Sequence, residues 1–351
     1  MGKGMSLKLS FRGWLTLVTL VLLAVVVIFA WPEIMKAWRL LDHVDLRILA
    51  LLVPVQLFSY YATGGMIFSY LRSKGELKDV SRWRIARFAL ELNFVNHILP
   101  SGGAAGFSYL GWVLGKYGVK PSRSTISQLI RFTLTFVAFV MILIFAVIFL
   151  AADGRINRLI IFLASLIVAV CIGVIFATIF IIGNNRRLNN VSHSLTRFAN
   201  RTVSKLTRGK KPHVLKGDVL PNFFGELHQD YLSIRKDARI LIKPFVWAIF
   251  TNLADVALIW IAFWSLGYEV SPAILFVAFG VSSLASAISV TPGGAGIYEA
   301  IMIAFLASSN VPPDVAIAGT LLARVTLVLG TILFGYVFYQ FTVLKYGKRS
   351  S

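Results

Sequence analysis

The chain has 351 residues, of which 57% are hydrophobic and only 14% charged, whereas soluble domains carry about 25% charged residues. That balance excludes a soluble globular fold and places the chain in a bilayer, where a helix needs about 20 apolar residues to cross. A net charge of +20 would suggest nucleic acid in a soluble protein; here its distribution reports orientation, and no nucleic-acid partner is expected.

In chain order, the first apolar run, 13–31, follows Lys3, Lys8 and Arg12. It lacks a small-residue cleavage site before Trp31-Pro32-Glu33, so it reads as a retained anchor helix rather than a signal peptide. A second span covers 48–71. Residues 88–115 form two short arms around Pro100-Ser101-Gly102-Gly103. At ~1.5 Å per residue each arm reaches only about 18 Å, so the pair should dip into the membrane and return to the side it left. Spans 127–152 and 158–183 follow. The second holds Cys171, the one cysteine, which excludes an internal disulfide and a Cys/His metal cluster.

The connection 184–243 carries two patterns of helical spacing, Val191 to Leu206 and Phe224 to Leu241. Both read as amphipathic helices lying on an anionic membrane surface; a solvated connector is the plain alternative. A span over 244–266, a second broken pair over 273–309 around Pro292-Gly293-Gly294, and a last span over 314–343 complete the chain.

Of the 35 Lys and Arg residues, 28 fall in 1–13, 72–87, 116–126, 184–243 and 344–351. The connections 31–47, 153–158, 267–272 and 310–314 carry five, and the last two cations are Arg131 and Arg324, inside spans. The positive-inside rule puts both termini and the long basic loop in the cytoplasm of a multi-pass plasma-membrane protein. It also puts the first broken pair on the cytoplasmic side and the second on the opposite side.

The two pairs share a motif. Pro100-Ser101-Gly102-Gly103-Ala104-Ala105-Gly106 is echoed by Pro292-Gly293-Gly294-Ala295-Gly296, and Leu129-Ile130-Arg131-Phe132-Thr133-Leu134 by Leu322-Ala323-Arg324-Val325-Thr326-Leu327. The expectation is one all-α polytopic bundle spanning 1–351. It would contain inverted repeats A (48–152) and B (244–343), two broken re-entrant hairpins, and the cytoplasmic loop 184–243.

Arg324 lies near the middle of its span, where an arginine costs roughly 2.5–3.5 kcal/mol on insertion scales, so a partner must compensate. An ion pair with Asp255 or Glu299 is one answer. The other is that Arg131 and Arg324 together hold a substrate phosphate with their bidentate forks. Arg131 lies closer to the cytoplasmic end of its span, and snorkelling to the headgroups is its plain alternative. Gly102, Gly103, Gly293 and Gly294 bring substrate close to backbone N–H groups at the helix breaks, or simply permit tight turns.

Asn93, Asn96 and His97 cluster before the first break and read as cavity lining, and Glu299 follows the second break as a further substrate contact. Asp255 and Glu91 are candidates for proton coupling; for Asn252 and Asp255, a helix-to-helix hydrogen bond competes. The chain contains no Gly-x-x-x-x-Gly-Lys-Ser/Thr, His-Glu-x-x-His or Gly-x-Ser-x-Gly signature. No catalytic residue, metal or cofactor is expected.

The Asn-rich arm, Pro-Ser-Gly-Gly-Ala, Tyr-Gly-Val and Thr-Pro-Gly-Gly-Ala-Gly-Ile-Tyr-Glu resemble the lysylphosphatidylglycerol synthase transmembrane family, also called flippase-like domain proteins. The resemblance runs from about residue 13 to 343, and Asn93 to Gly106 and Pro292 to Glu299 are its most specific parts. It implies a membrane domain that moves lipids with polar headgroups between leaflets. Family members with synthase activity carry a separate soluble aminoacyl-transfer domain; this chain ends at Ser351 without room for one, so a synthase is not expected. A Glu and a basic residue often follow the first-half glycines in the family, where this chain has Phe107 and Tyr109, which leaves the headgroup preference open.

The expected cargo is a phospholipid or a polyprenyl-linked lipid. An intramembrane transferase, or an accessory subunit that anchors a soluble synthase, is the alternative reading, and a homo-oligomer stays open.

Overall fold

In the computed structural model the described residues are 44–98, 104–154, 158–184, 186–188, 219–287 and 294–346, with isolated positions before 44 and between 190 and 201. The anchor helix expected over 13–31, most of the amphipathic segment 191–206, and Gly102, Gly103 and Gly293 lie outside them.

The described residues form eleven α-helices, one 3-10 turn and no strand. Short α1 (Leu46–Leu49) is capped by Asp45, whose carboxylate accepts the Arg47 N–H, and leads into α2 (Leu52–Ser73). The helices α3 (Arg82–Ile98) and α4 (Ala104–Gly115) flank the first glycine break. They are followed by α5 (Pro121–Ala152), α6 (Arg158–Ile182) and α7 (Val219–Lys236). The turn Ala238–Leu241 enters α8 (Ile242–Ser265). Flanking the second break, α9 (Pro272–Ala287) and α10 (Ile297–Ser308) precede the long α11 (Pro313–Tyr346).

Five stretches are long and apolar enough to cross a membrane: Leu46–Ser73, Pro121–Ala152, Arg158–Ile182, Ala238–Ser265 and Pro313–Tyr346. They coincide with the apolar spans of the sequence from 48 onward. The four helices beside the breaks have 17, 12, 16 and 12 residues. Twelve residues reach only about 18 Å.

Contacts fix which ends lie together. Tyr117, just after α4, hydrogen-bonds Tyr346 at the end of α11 at 2.8 Å, and Arg123 at the start of α5 pairs with Glu76, after α2, and with Asp230 of α7. Both outer ends of the α3–α4 pair therefore sit at the α7 end. At the other end, Gly154, Tyr268, Val270, Ser309 and Pro312 line one surface hollow, which gathers the outer ends of α9 and α10.

Two apolar cores match this division. One joins α2, α3, α4, the first half of α5, α7 and the last turns of α11. The other joins the second half of α5 with α6, α8, α9, α10 and the start of α11. Small residues bring the helices close, as expected where lipid supplies no hydrophobic drive between them. Gly335 of α11 lies against Phe94 of α3, and Gly319 against Phe263 of α8; a Cβ at either would overlap the ring-bearing side chain. Phe145, Phe162 and Phe176 stay 64–69% exposed, a composition suited to lipid contact.

The sequence placed the apolar stripe of 224–241 on lipid; the structure places it on protein. Leu227 is buried, and Phe224, Tyr231 and Ile234 pack on the first core. Ion pairs fasten α7 along its length, with Lys120 to Glu226 at 2.9 Å and Arg123 to Asp230 at 3.2 Å. These partners come from other connections, which helical spacing cannot reveal.

Candidate functional site

A cavity of about 250 Å³ opens among α2, α3, α8, α9, α10 and α11. From the first half, Gln56, Ser59, Tyr60 and Thr63 form a polar stripe along otherwise apolar α2, joined by Asn93 of α3. The 3/4 spacing puts the stripe on one face of α2. From the second half come Asp255, Ser283, Ser286, Tyr298, Thr320 and Arg324.

The polar groups are held in place. Gln56 Nε2 donates to Tyr60 OH at 2.7 Å and to the Leu327 carbonyl at 2.8 Å, and the Tyr60 and Thr331 hydroxyls bond one another. Asp255 accepts a hydrogen bond from Ser59 Oγ at 2.6 Å, tying α2 to α8 beside the space. Asn252, three residues earlier, donates to the Thr135 carbonyl of α5 and so serves the helix-to-helix role.

Arg324 is compensated from within. Its Nε donates to Glu299 Oε1 at 2.8 Å, and its guanidinium lies 4.8 Å from the Tyr298 ring centroid. The other oxygen of Glu299 accepts the Gly296 N–H at 2.6 Å, capping the start of α10. One carboxylate thus answers two positive features at once, a helix N-terminus and a buried arginine. Of the two acids weighed for Arg324, Glu299 is the partner.

Its counterpart Arg131 is differently placed. The helix α5 begins at Pro121, so Arg131 sits ten residues in, or about 15 Å along the axis. Arg324 is eleven residues into α11. Arg131 therefore lies deeper in its helix than the apolar window 127–152 implied. The additional stretch, 121–126, contains Ser122 and Ser124, which are buried by neighbouring helices although polar. Arg131 does not line the cavity. Its guanidinium lies over the Phe132 ring at 4.3 Å, and its Nε is buried without a hydrogen-bond partner among the described residues.

The remaining expected residues divide. Asn93 lines the cavity and donates to the Ala89 carbonyl, whereas Asn96 packs against Gly106 with its Oδ1 buried and unbonded. His97 is the penultimate residue of α3, and its side chain lies outside the described residues. Gly294 has φ +73 and lies against Ser286, a position a side chain would strain. Glu91 does not line the cavity. It is 0% exposed and accepts from Arg87, Tyr109 and Thr342, which joins α3, α4 and α11 in a closed network. Sequence reading missed Gln56, Ser59, Tyr60 and Thr63; their common face on a span was the signal available.

A profile described as the lysylphosphatidylglycerol synthase TM region matches residues 14–335. A UPF0104 membrane protein of Methanocaldococcus jannaschii is 32% identical over 108 residues, covering 30% of this chain and 32% of that protein. The chain thus aligns with about a third of that relative's length. A UPF0104 membrane protein of Methanothermobacter thermautotrophicus is 23% identical over 249 residues, covering 70% of this chain and 71% of that protein.

Proposed function

The chain belongs to the lysylphosphatidylglycerol synthase TM-region family, and from that premise we propose that it is a flippase-type transporter of a lipid or lipid-linked headgroup. The observation that carries this reading is the polar cavity lined by both halves inside an apolar-surfaced bundle. Buried hydroxyls and amides are costly in hydrocarbon unless bonded, so such a lining is suited to a polar headgroup crossing between leaflets. At about 250 Å³ the space lies a little below the ~300 Å³ of small ligand clefts, which suits a headgroup better than a whole lipid. The acyl chains would remain in the surrounding bilayer.

In this reading the α3–α4 and α9–α10 pairs are hairpins that enter from opposite faces, the two repeats have inverted topology, and both termini are cytoplasmic. Rocking of one half against the other exposes the cavity to each leaflet in turn. Asp255, held by Ser59 at the cavity wall, is the candidate for proton coupling, and Glu91 drops out of that role because its network is closed.

The test is reconstitution in liposomes with a leaflet-resolved assay of labelled phospholipid and labelled polyprenyl phosphate. Wild type should move at least one of them without forming a new covalent species, and Ser283→Phe, which fills the cavity, should lose most of that rate. Equal rates in both proteins would overturn the cavity assignment, and a new covalent product would favour a transferase.

A further inference from the structure

The two halves place an arginine at a similar position along the helix that follows each broken pair, but among the described residues only the second half supplies the anion. In the second half the group that satisfies both the start of α10 and Arg324 is a carboxylate, with oxygens 2.6 Å from the Gly296 nitrogen and 2.8 Å from Arg324 Nε. In the first half the position three residues after Gly106 is Tyr109, and its hydroxyl is turned to Glu91. The first turn of α4 holds no acidic residue. Arg131 has no ion pair among the described residues.

We propose that the space between Arg131 and the first turn of α4 is an exchangeable oxyanion seat, filled by a phosphate or carboxylate of the cargo as Glu299 fills its counterpart.

Three observations converge on that place. The Phe132 ring beneath the Arg131 guanidinium stacks on Phe107 of α4, with centroids 5.6 Å apart and planes 9° apart, so the arginine is held beside the start of α4. One turn earlier on the same face, Gln128 is 0% exposed; it donates to the Phe107 carbonyl at 3.4 Å and leaves its Oε1 without a partner. Asn96 presses on Gly106 with its Oδ1 likewise unbonded. Arg131 Nε is an unused donor, while Gln128 and Asn96 offer unused acceptors. Together they match an oxyanion that carries a hydroxyl, such as a phosphate monoester or a phosphate beside a headgroup hydroxyl. Leaving such groups buried and unbonded is costly, and a ligand removes that cost. Phe107 and Arg131 are themselves only partly buried, so the seat borders accessible space.

This inference deepens the transport reading by separating the arginines: Arg131 holds the anion, and Arg324 is satisfied by Glu299. Equilibrium binding of radiolabelled dioctanoyl phosphatidic acid, and separately of radiolabelled inorganic phosphate, to the full chain in detergent tests it. Saturable binding of phosphatidate alone identifies a lipid headgroup; binding of both identifies free phosphate as a sufficient ligand. Arg131→Gln should weaken binding roughly 10- to 100-fold, the range for a charged hydrogen bond. Arg131→Lys keeps the charge but loses the fork, and should fall between the two.

Failure of wild type to bind either probe, or unchanged affinity in both variants, would overturn the seat. Because the assay reads binding, a chain that binds through Arg131 but translocates nothing would refute transport and leave the seat standing; translocation with unchanged binding in the variants would do the reverse.

Discussion

The two glycine breaks carry the same motif and end in different electrostatics. At the second, Glu299 caps α10 and neutralises Arg324, so the site is complete within the protein. At the first, the buried carboxylate Glu91 is already bonded to Arg87, Tyr109 and Thr342, and Arg131 lies over the Phe132 ring with no ion pair among the described residues and its Nε unbonded. A duplicated pattern therefore does not imply a duplicated role. One three-residue offset, acidic in one half and tyrosine in the other, is sufficient to separate a structural arginine from one that can receive a ligand.

The largest effect should come from breaking the complete half. Glu299→Gln removes the charge that answers Arg324 and weakens the cap of α10, so it should cost about 3–5 kcal/mol. Reversible unfolding in detergent measures it, and a loss below about 1 kcal/mol would mean that the pair contributes little net stability. Glu91→Gln in the first half should cost less, about 1.5–3 kcal/mol, because Tyr109 and Thr342 still have a hydrogen-bonding amide to meet. The same unfolding assay orders the two.

The glycines sharpen the contrast further. Gly294 combines φ +73 with a close approach to Ser286, so Gly294→Ala should cost about 1–3 kcal/mol. Gly106 lies in α4 against the end of a movable amide, Asn96, so Gly106→Ala should cost under about 1 kcal/mol while displacing that amide from the seat. Equal losses would show that backbone strain is not what distinguishes the breaks.

The smallest effect belongs to the end of the first half, where α7 is fastened. The hydrogen bond from Ser122, followed by that from Lys120, holds the Glu226 carboxyl below its ordinary value. A depressed carboxylate stabilises the folded form above its unfolded pKa, and that contribution fades as pH falls from about 5 through the lowered value. Glu226 is 41% exposed and its pair is screened by solvent, so the change should be slight. After correction for the intrinsic exchange rate, protection across 219–236 should fall slightly at acid pH in wild type, and Glu226→Gln should reduce that dependence.

Much of this was legible in the sequence. Apolar length marked every span from 48 onward, and Pro-Gly-Gly marked two interrupted helix pairs, one helix of each only 12 residues long. Partners were harder to read. The cost of burying Arg324 demanded an acid, but nothing in the pattern chose Glu299 over Asp255; the choice depends on how α10 leaves its break. The start of α5 was placed late because hydropathy ends a helix where polar residues begin; here Ser122 and Ser124 continue it, buried against other helices. Helical spacing likewise revealed the apolar face of α7 but not whether lipid or protein would cover it.

The most direct measurement is an experimental structure of the wild-type chain saturated with dioctanoyl phosphatidic acid. The account predicts phosphate density within hydrogen-bond distance of Arg131 Nε, beside Phe107 and Gln128, with the Arg324–Glu299 pair intact. Phosphate bound at Arg324 with Glu299 displaced, or no ordered phosphate beside Arg131 at saturating lipid, would contradict it.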